Sequence, residues 1–190
     1  MSAAKGLVVV ISGPSGVGKG SVHTGLRGLL DGLEISVSVT TRKPRPGERD
    51  GIAYTFVSDE VFDHMIATDA LLEWAEYSGN RYGTPAASVL AAAEDGRTVL
   101  LVIEVQGALQ IRARLPEALQ IFLVPPSFEE LERRLRDRGT EDEDAVRGRL
   151  ETARLEMSAQ ARFDHVVVND DLDRATAEVA DLIAKARIGQ

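Results

Sequence analysis

Gly6-Leu-Val-Val-Val-Ile-Ser-Gly-Pro-Ser-Gly-Val-Gly-Lys-Gly-Ser21 decides how this chain is read. Leu7 to Ile11 is an unbroken apolar run, which predicts a fully buried strand. It empties into a glycine-rich turn of Gly13, Pro14, Ser15, Gly16, Val17 and Gly18, followed by Lys19. Val22, Leu26, Leu29 and Leu30 then recur at helical spacing and predict a helix over 22–33. Strand, loop and helix in that order form the context that a phosphate-binding loop needs. The glycines let the backbone wrap closely round an anion. The loop amides and the helix N-terminus direct positive partial charge at it. Lys19 adds a full charge where the β- and γ-phosphates of a nucleotide lie. The spacing G-x-x-x-x-G-K fits this loop, but the next residue departs from it. Gly20 stands where Ser or Thr usually holds Mg²⁺, and Ser21 comes one residue late, so the metal ligands stay open. A plain glycine turn between strand and helix is the competing reading, and the placement of Lys19 argues against it.

The totals narrow the classes. A chain of 190 residues fits one compact domain, with room for small inserted subdomains and a full core. Hydrophobic content of 44% and charged content of 27% are ordinary for a soluble globular protein. Net charge of −8 disfavours a general nucleic-acid surface, so an anionic substrate needs local cationic pockets. With no cysteine there is no disulfide framework and no zinc–thiolate site. No apolar run reaches membrane-spanning length, and Met1 to Lys5 lacks the apolar core of a signal peptide. The expectations are a cytoplasmic location, no nucleic-acid or membrane partner, and a monomer or weak homo-oligomer.

Beyond the helix, Ile35 to Val39 alternates apolar and polar residues and predicts a half-buried strand. Thr40 to Gly47 contains Pro44 and Pro46 and predicts an extended loop. At three residues per polyproline turn, Arg42 and Arg45 project from the same side, an arrangement suited to a phosphate between two guanidinium forks. A solvated basic loop is the alternative. Tyr54 to Val57 predicts a short strand, and Ser58 starts a helix with Val61, Phe62, Met65 and Ile66 on one face. Glu73 beside Trp74 borders an apolar wall, where a carboxylate costs free energy unless paired. Gly79 to Gly83 predicts a turn. Thr84-Pro85 opens a helix closing at Gly96, with Thr84 as its N-cap, as a ligand group, or as both. Thr98 to Val105 predicts a second core strand, placing Glu104 near its C-terminal end, where open α/β sheets hold ligands.

Leu119 to Val124 predicts a third buried strand. Ser127-Phe-Glu-Glu130 and Thr140-Glu-Asp-Glu143 are capping boxes that open two charged helices. The first carries Leu131 and Leu135 inward, and Arg134 and Arg138 on one face. The second carries Arg147, Arg149 and Arg154. Such a hairpin suits a lid closing over phosphates, with a solvent-facing salt-bridged pair as the alternative. His165 to Val168 predicts a fourth strand, and 173–187 a closing helix with Ala175, Val179, Leu182 and Ile183 inward. The three histidines are scattered and suggest no triad or metal cluster.

Several segments together resemble the guanylate kinase family. They are Gly13 to Lys19, Ser38-Val-Thr-Thr-Arg-Lys-Pro-Arg-Pro-Gly-Glu48, Gly51-Ile-Ala-Tyr54, Glu73-Trp74, Tyr82-Gly-Thr84, Arg138-Gly-Thr140 and Val168-Asn-Asp-Asp171. The resemblance runs nearly end to end. It implies an α/β, P-loop nucleoside monophosphate kinase fold: a parallel-sheet core (1–34, 97–126 and 160–190), an inserted GMP-binding domain (35–96) and a helical lid (127–159). It implies transfer of the γ-phosphoryl group of ATP to GMP, with Mg²⁺ accompanying ATP and dGMP a further acceptor to test. Gly13 through Ser21 match the family's ATP-binding loop, with Arg134, Arg138 and Asn169 on the ATP side. Ser38, Arg42, Arg45, Tyr54 and Tyr82 match GMP-phosphate and nearby positions, and Glu73, Thr84 and Glu104 guanine-facing ones. Lys19, Arg42, Arg138 and Arg149 are the expected catalytic cations. Val102, where relatives often carry an acidic residue, departs from the pattern. Two rivals remain: a guanylate-kinase-like module that binds partner peptides without catalysis, and a P-loop kinase for another nucleotide. The intact Lys19 loop and arginine loop argue against the first.

Overall fold

The computed structural model describes residues 6–77, 79–137 and 143–188. Arg138, Gly139 and the first three residues of the second capping box, 140–142, lie outside the described residues. Contacts divide the chain into two compact units. The first comprises the segment through Val9, Gly32–Leu101 and Gln106–Ala118. The second comprises Val10–Asp31, Val102–Val105 and the segment from Leu119 onward. A parallel-sheet core has strand order β2-β7-β1-β8-β9, with β1 (Val8–Ser12) contributing residues to both units.

In the first unit, β2 (Leu33–Ile35) pairs in parallel with β7 (Thr98–Val102). A separate four-stranded sheet has the order β4-β3-β6-β5. It is built from β3 (Ser38–Thr40), β4 (Tyr54–Phe56), β5 (Leu71–Tyr77) and β6 (Asn80–Pro85). The single strand expected over Ile35 to Val39 is therefore two, because the chain leaves one sheet at Ile35 and enters the other at Ser38. The turn expected over Gly79 to Gly83 is mostly strand. Gly83 pairs with Val39 and Trp74 at a point where a Cβ would lie 2.9 Å from Leu71 Cδ1, so this glycine serves close packing.

Helix α2 (Asp59–Ala67) starts at Ser58, whose hydroxyl accepts the Val61 N–H at 3.3 Å. Phe62 buries fully against Val39 and Leu71, but Val61, expected on that face, is exposed. Helix α3 (Ala86–Glu94) follows Pro85 directly, so Thr84 is a strand residue and not the N-cap. Helix α4 (Val105–Arg114) had no counterpart among the expected elements, and it cuts short the strand expected to run to Val105. Its inward residues are Val105, Ala108 and Ile111.

In the second unit, helix α1 (Lys19–Leu29) begins three residues before the expected start and packs against α7 (Leu172–Ile188). Strand β8 (Leu119–Val124) pairs in parallel with β9 (His165–Val168). Helices α5 (Phe128–Asp137) and α6 (Glu143–Met157) share an apolar cluster of Leu131, Leu135 and Ala153, flanked by Phe128 and Leu150. The Ser127 hydroxyl caps α5 by accepting the Glu130 N–H at 3.2 Å. The hairpin thus has a small core of its own, which charge patterning alone does not reveal. No helix among the described residues is long and apolar enough to cross a membrane.

Truncating Phe62 to Ala removes the centre of the first unit's small cluster and is expected to cost about 3–5 kcal/mol. Urea unfolding checks this: a clearly lower midpoint is predicted, and an unchanged midpoint contradicts it.

Candidate active site

The glycine loop joins β1 to α1 through backbone that side chains rarely adopt. Gly13 has φ 147°, and a Cβ there would meet Leu123 O at 2.4 Å. Gly18 has φ 99°, and a Cβ there would meet Asn169 Nδ2 at 2.4 Å. That approach has a purpose, since the buried Asn169 amide donates to Val17 O at 2.7 Å and ties the loop to the end of β9. The side chain of Asn169, assigned by resemblance to the adenine side, thus braces the loop.

Lys19 Nζ donates to Gly13 O at 2.6 Å and to Glu104 Oε2 at 3.1 Å. Its ammonium is held at the wall of a cavity of about 490 Å³ lined by loop residues, Ser21, Thr24 and Glu104. Glu104, assigned by resemblance to guanine, makes this contact to the loop lysine. A second cavity of about 450 Å³ is lined by Gly16, Gly18, Ser21, Arg134, Asp137, Asn169, Asp170 and Leu172. Arg134 is fixed at its edge: Nε donates to Glu130 Oε1 at 2.8 Å and Nη2 to Asn169 O at 3.0 Å. Arg133 and Arg134 together hold the Glu130 carboxyl down to about 2.

Helix α6 also reaches the loop. Arg149 Nη2 donates to Ser15 Oγ at 2.6 Å. Two turns on, Glu156 accepts the Ser15 main-chain N–H, so α6 holds Ser15 by side chain and backbone together. Sequence reasoning passed over Glu156; its only signal is the seven-residue spacing from Arg149, which puts both on one helix face. Its Oε2 is buried without a partner. Burial first, and the Glu104 charge second, push its carboxyl up to about 7, against the pull of Lys19. Of the other α6 arginines, Arg147 pairs with Asp144 and Arg154 lies over the Phe128 ring, so neither points to the loop.

The first unit carries a different set. Arg42 is gripped bidentately by Glu48, with Nη1 to Oε2 at 3.0 Å and Nη2 to Oε1 at 2.9 Å. It also donates to Lys43 O and reaches the Tyr82 hydroxyl. Its guanidinium lies 5.4 Å from the Tyr54 ring and 5.6 Å from the Phe56 ring. Of the expected pair of guanidinium groups, Arg42 faces an anion within the chain itself. Arg45 gives Glu48 its main-chain N–H at 2.7 Å while its side chain stays exposed. The anion at Arg42 is the chain's own carboxylate, which Arg42 and the Arg45 amide hold below the usual carboxylate range. Tyr54 and Tyr82 meet edge to face at 5.9 Å beside it, and Ser38 pairs with Tyr54 across β3 and β4.

Deeper in this unit, Glu73 is only 5% exposed. Thr84, directly opposite on β6, donates its hydroxyl to Glu73 Oε1 at 2.6 Å. The sequence requirement that this carboxylate be paired is met by the residue whose role had been divided between cap and ligand.

A glycine loop with an oriented lysine in one unit and a buried carboxylate with an oriented arginine in the other have close relatives. The guanylate kinase family model matches residues 5–186. The chain belongs to the guanylate kinase family. It is 54% identical to the guanylate kinase of Parasynechococcus marenigrum over 94% of this chain and 98% of the relative. It is 51% identical to that of Thermobifida fusca over 93% of this chain and 90% of the relative. Among solved structures, guanylate kinase from Anaplasma phagocytophilum matches with TM-score 0.80 and 32% identity, over 97% of this chain and 87% of the other. An SH3-kinase fragment of tight junction protein 3 shares the fold at TM-score 0.53 and 13% identity, over 98% of this chain and 60% of the other. Guanylate kinases are ATP:GMP phosphotransferases, so the chain is a nucleoside monophosphate kinase with the parallel-sheet fold of that class.

The Glu156 carboxyl yields a prediction. Its proton is bound more tightly in the folded protein than in the unfolded chain, where the ordinary value is 4.5. Its contribution is most favourable below pH 4.5 and is lost as pH rises to about 7. Glu156→Gln is therefore expected to raise Tm more at pH 8 than at pH 5. Calorimetric scans at both pH values check this, and an equal shift contradicts it.

Proposed function

We propose that the loop unit binds ATP, that the four-stranded-sheet unit binds GMP, and that the γ-phosphoryl group passes from the first nucleotide to the second. In this reading residues 35–96 form the acceptor domain, 127–159 the lid, and the remaining segments the core. The observation that carries it is the buried Glu73 carboxylate with Thr84 beside it. Guanine presents N1–H and N2–H side by side, and one carboxylate accepts both. Adenine lacks that donor pair and would turn its N1 lone pair toward the carboxylate, a mismatch that discriminates strongly. Ser38 and Thr84 supply hydroxyls for O6 and N7. Arg42, with Tyr54 and Tyr82, takes the GMP phosphate, and Arg45 joins by turning its exposed side chain inward.

On the ATP side the amides of Gly13 to Ser21 cradle the phosphates, and Lys19 meets their β- and γ-oxygens. Arg134 and Asn169 border the adenine cleft, with Arg138 joining from the lid. Phosphoryl transfer demands in-line placement and neutralisation of charge spreading over the transferred group. Lys19, Arg42, Arg138 and Arg149 are the cations for that work. No protein base is needed, because the accepting GMP oxygen is already anionic.

Mg²⁺ fits the loop cavity. No group of three or more acidic or histidine ligands occurs among the described residues, while Ser21 and Glu104 offer oxygens on the cavity wall. One or both of those oxygens would hold the ion, with waters and phosphates completing its shell, and it would supply charge neutralisation to the nucleotide phosphates. The proposed setting is the cytoplasm, with ATP and GMP as the ligands.

A coupled ADP-release assay tests the reading. GMP is expected to be a far better acceptor than AMP, CMP or UMP, and Lys19→Ala to abolish turnover while GMP binding survives. Folded protein with no GMP-dependent ADP release overturns it in favour of a binding module. Equal use of AMP overturns the guanine assignment.

A further inference from the structure

We propose that Gly107 is a specificity-determining position for guanine, because the missing side chain there gives the Glu73 carboxylate the space in which it reads the base. The proposal rests on the reading of Glu73 given above. An ideal Cβ on Gly107 would stand 2.1 Å from Glu73 Oε2, 2.8 Å from Cδ and 3.4 Å from Cγ. All three nearest atoms belong to that one side chain, so the carboxylate itself fills the room a side chain would take.

Backbone conformation does not ask for glycine at this position. Gly107 is not among the residues with positive φ and lies within helix α4. Glycine inside a helix is worse than alanine by about 1 kcal/mol. What it provides is clearance. One turn further along α4, Gln110 acts on the same strand. Its Nε2 donates to Trp74 O at 2.7 Å, and its Oε1 accepts the Trp74 N–H at 3.1 Å. β5 is an edge strand, so this amide takes the place of a neighbouring strand next to Glu73. Helix α4 therefore sets Glu73 twice: Gln110 fixes the main chain beside it, and Gly107 fixes the depth of its carboxylate.

A methyl group at position 107 has a predictable effect. Helix α4 is anchored by the buried side chains of Val105, Ala108 and Ile111, while the obstructing atoms are the far end of a flexible glutamate. The carboxylate yields, swinging off Thr84 and out of register with N1–H and N2–H. The fold survives, and the loss appears in acceptor recognition.

The experiment compares wild type, Gly107→Ala, Glu73→Gln and the double variant by steady-state kinetics and thermal unfolding. Gly107→Ala is expected to raise the KM for GMP by about tenfold or more, the scale of a charged hydrogen bond lost. The KM for ATP and kcat at saturating GMP are expected within about twofold of wild type, and Tm within a few degrees. On the Glu73→Gln background the same methyl group is expected to add less than about twofold, because the two changes act on one contact. An unchanged KM for GMP, or the same factor in both backgrounds, overturns the proposal. Glu73→Gln leaving GMP binding intact overturns the guanine reading and this inference with it, whereas failure of Gly107→Ala alone leaves that reading standing. If Gly107→Ala does not fold, Glu73→Asp combined with it, one methylene shorter, is expected to restore folding. Failure of that pair also overturns the claim.

Discussion

Three of the cations proposed to meet the two nucleotides are each held by a carboxylate of the chain itself. Glu104 holds Lys19, Glu48 holds Arg42, and Glu130 holds Arg134. A free lysine or arginine side chain carries about 2 kcal/mol of rotamer entropy, which must be surrendered when it grips a ligand. Here that ordering is completed in the folded protein. The cost is that each cation is partly neutralised, in a chain already at −8. The main-chain amides of the glycine loop carry no such counter-charge. That is why the strained backbone at Gly13 and Gly18, and the Asn169 brace that maintains it, matter as much as Lys19 itself.

Carboxylates therefore do two kinds of work. Glu48 and Glu130 are kept ionised by the arginines they hold and serve as rigid supports. Glu73 is buried and accepts the Thr84 hydroxyl, and in the proposed reading it also accepts the guanine donors. Glu156 falls between these extremes. It couples α6 to the loop through the Ser15 amide, at a burial that brings its ionisation to about neutral pH. Stability, and in the proposed reading acceptor choice, thus depend on how deeply each carboxylate is buried and what it is paired with.

Much of this was legible in the residues. The glycine loop and Lys19 were, because few other structures need three glycines and a lysine at that spacing. Strands β1 and β8 were, because both are continuous apolar runs. The pairing demanded of Glu73 was anticipated, though not that Thr84 would supply it from a strand. Other features depended on contacts that local patterns do not encode. Helix α1 starts at Lys19 because Gly18 turns the chain left-handed, and periodicity begins to register only at Val22. Helix α4 was missed because its inward face is Val105, Ala108 and Ile111, small or widely spaced among Gln and Arg. Gly83 looked like a turn and is a strand residue packed on Leu71. The arginine loop was correctly read as cationic, but Glu48, six residues after Arg42, was not recognised as its internal anion.

Titrating GMP and guanosine by calorimetry into wild-type and Arg42→Ala protein tests the central claim most directly. Wild type is expected to prefer GMP over guanosine by about a hundredfold, as charge-assisted hydrogen bonds to a phosphate require, and most of this preference is expected to vanish without Arg42. Equal preference in both proteins would contradict it.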